Sequence, residues 1–161
     1  MYHIPPILIL GLGNILLSDD GFGVHIIKLL VKDKEIAENK NIEIIEGGTL
    51  GLQLLEEIQS RELVVVVDAV KGDQVPGSLY NFTYSDITSY YQDKSISLHQ
   101  LDFVKALEIG DFLDKDIPEI QIVGVQPESL KVGMKLSMCV EEQVPKVLNK
   151  INELISMALN I

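Results

Sequence analysis

Cysteine occurs once in this 161-residue chain, at Cys139, and histidine three times, at His3, His25 and His99. A single thiol excludes an intrachain disulfide and any Cys-rich zinc or iron–sulfur site. With so few imidazoles, a metal site would have to lean on carboxylates. Positive charge is scarce as well. Thirteen Lys and Arg stand against 24 Asp and Glu, a formal net charge of −11. That balance argues against a nucleic-acid partner, which needs a basic face, and against attraction to an anionic membrane surface. The apolar stretch Ile4–Leu10 is too short to span a bilayer. It has no basic leader and runs into a Gly/Asp turn, which argues against a signal peptide. No Gly-x-Ser-x-Gly elbow is present, and Cys139, between Met138 and Val140, reads as packing. A hydrolase built on this chain would therefore use activated water rather than an acyl-enzyme.

Apolar residues are plentiful, at 47%, and mean hydropathy is +0.23. Those values exclude disorder and, with the length, give one domain over residues 1–161. The expectation is an acidic, cytoplasmic α/β domain. Ile7–Leu10 reads as a strand buried on both faces, closed by Gly11-Leu12-Gly13-Asn14. A helix follows over Gly21–Lys32, with Val24, Ile27, Leu30 and Val31 on its apolar stripe. Asn41–Glu46 reads as a second strand, and Leu52, Leu55 and Ile58 give a second helix before Arg61. Leu63–Val67 is the clearest strand and ends in Asp68. Leu79–Tyr84 alternates like an edge strand or hairpin arm. Leu101–Leu107 looks helical, Ile120–Val125 is a buried strand, and Glu142–Leu159 is a final helix with Pro145 in its first turn. This order predicts a three-layer α/β sandwich: a mostly parallel, twisted sheet of about five strands with helices on both faces.

The polar residues fall in a pattern on that frame. Asp19 and Asp20 follow the first strand, Glu46 ends the second, Asp68 ends the third, and Gln126 and Glu128 follow the fourth. All lie past the carboxyl ends of parallel strands, the edge where open α/β sheets bind ligands. Acids converging there repel one another unless a cation, a proton or a basic partner compensates. One of Asp19 and Asp20 is accounted for by helix capping, which leaves the other to spare. The glycine turn begins like a dinucleotide fingerprint, but Leu16 stands where the third glycine would be. Two aspartates then occupy the anion-binding end of the helix, so nucleotide binding is a minor alternative. His99 opens a helix after a long loop and is the best-placed imidazole. Asp20, Asp68 and His99 would together make a carboxylate–imidazole set suited to nickel or zinc with coordination positions left open. Phe82, Tyr84, Tyr90 and Tyr91 form an aromatic group for either docking or packing.

Five blocks then occur in order: Gly11-Leu12-Gly13-Asn14-Ile15-Leu16-Leu17-Ser18-Asp19-Asp20-Gly21-Phe22-Gly23-Val24, Glu46-Gly47-Gly48-Thr49, Val67-Asp68-Ala69, Ser97-Leu98-His99-Gln100-Leu101 and Val123-Gly124-Val125-Gln126-Pro127-Glu128-Ser129. Taken together they resemble the [NiFe]-hydrogenase maturation endopeptidases over nearly the whole chain. The resemblance implies a protease that removes the C-terminal extension of the hydrogenase large-subunit precursor. It implies nickel already installed in that substrate as the recognition element, with other divalent ions as substitutes in vitro. The cut would follow the residue that closes the substrate's last Cys-containing motif. Asp20, Asp68 and His99 are the implied metal contacts and catalytic set, and Asp19 and Glu46 are left as either a base or an orienting group. One departure is Glu46, where the family often has aspartate; the extra methylene moves the carboxylate by more than about an ångström. The implied partner is the precursor alone, met transiently by a monomer, with no nucleic acid and no membrane. The alternative is a non-catalytic nickel-binding chaperone of hydrogenase assembly, favoured by the lack of an obvious nucleophile.

Overall fold

The computed structural model describes residues 4–48, 53–86, 98–113 and 115–161, with the backbone alone for 98–101. Five strands form one sheet: β1 (Ile7–Leu12), β2 (Ile42–Gly48), β3 (Leu63–Ala69), β4 (Leu79–Thr83) and β5 (Glu119–Val125). Their spatial order is β2-β1-β3-β5-β4. Every pairing is parallel except that of β4, which runs antiparallel along β5 from Leu79 opposite Val125 to Thr83 opposite Gln121. Helices among the described residues include α1 (Phe22–Leu30), α2 (Lys34–Ala37), α3 (Leu54–Ile58), α4 (Leu98–Phe112), α5 (Met138–Glu141) and α6 (Val144–Leu159).

Strand periodicity sorts the core into two layers. Ile7, Ile9, Val65, Val67, Val123 and Val125 face α1 and α6, where Phe22, Ile26, Val147 and Ile151 meet them. Leu8, Leu10, Val64, Val66, Ile120 and Ile122 face the other way, onto Leu54 and Ile58 of α3 and Phe103 and Leu107 of α4. All seven residues of β3 are buried, which is why its continuous valine run is so legible. Each such valine stabilises the fold by about 1.5–3 kcal/mol. The sandwich expected from the sequence is the one observed.

Several boundaries differ. The helix read over Leu101–Leu107 extends from Leu98 to Phe112, so His99 lies inside its first turn. The final helix is preceded by the separate short α5, because Pro145 lacks an N–H and is confined to the first turn of α6. A 3-10 turn at Ser18–Gly21 and the four-residue α2 were not anticipated. Each is too short to show a helical stripe. β4 is the edge strand its alternation predicted. Phe82 and Tyr84 pack partly buried against the second core layer, and Phe82 stacks on Tyr80 with ring centroids 5.4 Å apart. Packing is therefore their role; Tyr90 and Tyr91 lie outside the described residues.

At the amino ends of the strands, Arg61 ties three segments together. It donates to the carbonyls of Glu57 at 3.0 Å and Pro5 at 2.8 Å, and to Glu43 Oε2 at 2.6 Å.

Candidate functional site

The site grows from the end of β1. The chain turns at Gly13 with φ +117°, a conformation that favours glycine. A β-carbon there would also collide with the backbone carbonyl oxygen of Asp20. The Gly13 N–H donates to the Gly48 carbonyl at 3.1 Å, which joins the turn to the end of β2. The 3-10 turn Ser18–Gly21 then brings Asp20 back over the loop, where its Oδ2 accepts the Asn14 N–H at 3.0 Å. Helix α1 starts from Gly21 with no side-chain cap. Neither aspartate caps a helix, contrary to the expectation for one of the pair; both carboxylates are directed to loop backbone instead.

Helix α1 is pressed hard onto the sheet at Gly23. A β-carbon on Gly23 would run into the carbonyl oxygens of Leu12 and Val67. Those two residues immediately precede Gly13 and Asp68. The turn bearing Asp20 and the end of β3 bearing Asp68 are thus neighbours across the β1–β3 junction. There the chain leaves one strand toward β2 and the other toward β4 and β5, the switch point where open α/β sheets take ligands. Asp68 is 2% exposed and Asp20 is 7% exposed. Asp68 Oδ1 accepts the N–H of Ala69 at 2.8 Å.

Asp19 is built differently. It is fully buried, and its two oxygens accept four hydrogen bonds. Oδ2 takes the N–H groups of Glu128 and Ser129, each at 2.9 Å, and the Ser137 hydroxyl at 2.8 Å. Oδ1 takes the Ser137 N–H at 2.7 Å. The loop between β5 and α5 is thereby fastened to the 3-10 turn. Gln126 performs a similar service, its Oε1 accepting the Tyr80 hydroxyl at 2.7 Å and the Gly72 N–H at 2.9 Å. Glu46 sits opposite Gly11 in the parallel ladder and is exposed.

The sequence-derived set is placed as follows. Asp19, Asp20 and Asp68 converge at one sheet edge, Glu46 lies on its open side, and the His99 side chain lies outside the described residues. Among the described residues no group of three or more His, Cys, Asp and Glu is arranged to hold a metal. Two buried carboxylates at a switch point offer hard oxygen donors that favour a cation. Ser137, which fixes Asp19 through both its N–H and its hydroxyl, was not foreseen. Its partner is 118 residues away in the chain, and no local pattern marks it. Cys139 is half-buried on α5 against the first core layer, as its apolar neighbours implied. His3 lies outside the described residues. No helix among the described residues is long and apolar enough to cross a membrane.

Comparison with known proteins converges on one family. The family model described as hydrogenase maturation protease (HycI) matches residues 24–154. The chain is 35% identical over 127 residues to the hydrogenase expression/formation protein HoxM of Azotobacter vinelandii, covering 79% of this chain and 60% of HoxM. It is 32% identical over 146 residues to the hydrogenase 2 maturation protease of Escherichia coli K12, covering 90% and 87%. Its fold is similar to that of the solved hydrogenase maturating endopeptidase HybD from E. coli, with TM-score 0.84, 29% identity, and 94% and 93% of the two chains covered. The chain belongs to the hydrogenase maturation protease family.

Proposed function

We propose that this chain is an endopeptidase that removes the C-terminal extension from the nickel-loaded precursor of a [NiFe]-hydrogenase large subunit. The observation that carries this reading is the pair of buried carboxylates, Asp20 and Asp68, at the β1–β3 switch point of a member of this family. Asp20, Asp68 and His99 are assigned as contacts to the nickel, which belongs to the substrate. Other divalent ions would substitute for it in vitro. The two aspartates supply oxygen ligands and His99 a nitrogen, a borderline set that fits a first-row ion. A metal held by such a set would polarise a carbonyl or lower the pKa of a bound water toward neutrality. Asp19 has its oxygens engaged by the loop, which supports an orienting role over that of a base. Glu46 is exposed and remains available as a base. The protein is read as a cytoplasmic monomer that meets its precursor transiently.

The test is incubation of nickel-loaded precursor with wild type and with Asp20→Asn, Asp68→Asn and His99→Ala, followed by mass measurement. Wild type is expected to release a short C-terminal peptide, and each variant to release little. Binding without a change in mass would point to the chaperone alternative. Undiminished cleavage by all three variants would overturn the ligand assignment.

A further inference from the structure

The loop that Asp19 fastens down carries an unusual surface. Val132 is 89% exposed, Met138 76%, Met134 60% and, on the facing segment, Leu16 55%. Leu17 and Gly133 form a parallel β-bridge. The Ser18 N–H donates to the Gly133 carbonyl at 2.7 Å, and the Gly133 N–H to the Leu16 carbonyl at 2.9 Å. Leu16 therefore runs alongside the segment that carries Val132 and Met134, and these three exposed side chains form one apolar ridge. Large apolar side chains exposed together, rather than scattered, mark interaction surfaces. The ridge is held rigidly. The Ser18 hydroxyl donates to the Lys131 carbonyl at 2.8 Å, and the four bonds to Asp19 anchor both ends of the loop.

Charge singles out the same loop. Within Gln126–Met138, Lys131 and Lys135 outnumber the single acid Glu128, in a chain whose net charge is −11. Both lysines are exposed. A partner with an apolar face bordered by carboxylates complements this segment as it complements no acidic part of the surface. Position decides which partner. The ridge is built on the segment that leads into the turn holding Asp20, so a protein delivering a peptide bond to Asp20 comes in beside it.

We infer that the Leu16–Val132–Met134 ridge, flanked by Lys131 and Lys135, is the docking surface for the folded body of the precursor next to the bond that is cut. This rests on the function proposed above. The occupant presents apolar residues with acidic neighbours, and the flexible Met134 side chain adapts to its contour. Phe112 is the natural control. It is 86% exposed, but it ends α4, on the approach to the amino end of β5, at the opposite edge of the sheet.

The experiment measures both precursor binding and cleavage, using wild type, Val132→Asp/Met134→Glu, Lys131→Glu/Lys135→Glu and Phe112→Asp. The apolar double variant is expected to weaken binding and raise KM tenfold or more, with kcat at saturation within twofold of wild type. The lysine pair should lose severalfold in affinity at low salt and little at high salt. Phe112→Asp should match wild type. If Val132→Asp/Met134→Glu binds the precursor within twofold of wild type, the ridge is not the docking surface, whatever happens to cleavage. If that variant instead abolishes self-association of the wild type and leaves KM alone, the occupant is a second copy and the inference fails. A wild type that binds precursor through the ridge without cutting it would sink the peptidase reading and leave the docking surface standing. A wild type that neither binds nor cuts would overturn both.

Discussion

The two ends of the sheet handle charge in opposite ways. At the amino edge, Arg61 spends its guanidinium on two backbone carbonyls and on Glu43, itself 41% exposed. The charge there is matched locally and serves to hold segments together. At the carboxyl edge lie all four buried polar or charged residues among the described ones: Asp19, Asp20, Asp68 and Gln126. Three of these are acids, and buried carboxylates need hydrogen-bond donors or positive charge around them. The difference teaches that the two edges carry different burdens: the amino edge pairs a cation with backbone oxygens and a carboxylate, and the carboxyl edge gathers buried acids at the switch point of the sheet. Within the carboxyl edge the same division recurs between adjacent residues. Asp19 is devoted to the loop, and Asp20 lies on the turn beside the end of β3 that bears Asp68.

The comparison is broken most sharply by activity. Asp20→Asn and Asp68→Asn keep the size of the side chain and one acceptor oxygen and remove its charge. Each is expected to cut precursor cleavage by at least about 100-fold, within the range supplied by a positioned acid, base or metal contact. Urea unfolding midpoints should stay near that of wild type. A variant that loses stability and keeps activity would place that aspartate with the structural residues instead.

Asp19→Ala gives the reverse pattern. It strands the backbone N–H groups of Glu128 and Ser129 and both donors of Ser137, all in part-buried bonds. Four lost charge-assisted bonds, with donors that water can partly reach, together predict a loss of about 2–4 kcal/mol in urea denaturation. Cleavage measured below the variant's Tm should be reduced through a higher KM, because the loop carrying the ridge is released. Arg61→Ala is expected to cost about 2 kcal/mol, since it strands carbonyls that water can partly reach. It should leave both kcat and KM unchanged, because it acts at the wrong edge.

How much of this was legible depends on whether the cause was local. The valine run of β3, the alternation of β4 and the acids at strand ends are written in consecutive residues, so the layers and the Asp20–Asp68 edge could be read directly. The strand order β2-β1-β3-β5-β4 is not local, and periodicity says nothing about which strand is whose neighbour. Asp19 and Asp20 look alike in sequence, and the capping role expected for one of them failed. What separates them is a loop more than 100 residues downstream. Arg61 carried no signal because two of its three partners are backbone oxygens. The ridge did leave a trace: Leu130-Lys131-Val132-Gly133-Met134-Lys135-Leu136 alternates apolar and basic residues where a connecting loop would ordinarily be polar.

The smallest effect tests whether the amino edge settles its charges locally in other places too. β4 runs antiparallel to β5, so its last residue, Thr83, points toward that edge. Asp86 Oδ2 accepts the Thr83 N–H at 2.9 Å and the Thr83 hydroxyl at 2.7 Å. These two bonds, the backbone one first, hold its carboxyl below the ordinary aspartate value of 3.8. A folded-state pKa below the unfolded one contributes stability that is present above the unfolded value and lost as pH falls through the folded value. Asp86→Asn cannot titrate, so the wild type should exceed it slightly in urea midpoint at pH 6. The gap should close as pH drops below about 4 toward 2. A gap that holds constant across that window would mean that the Asp86 side chain stabilises the end of β4 by its shape and not by its charge. The amino edge would then owe its order at this corner to turn geometry alone.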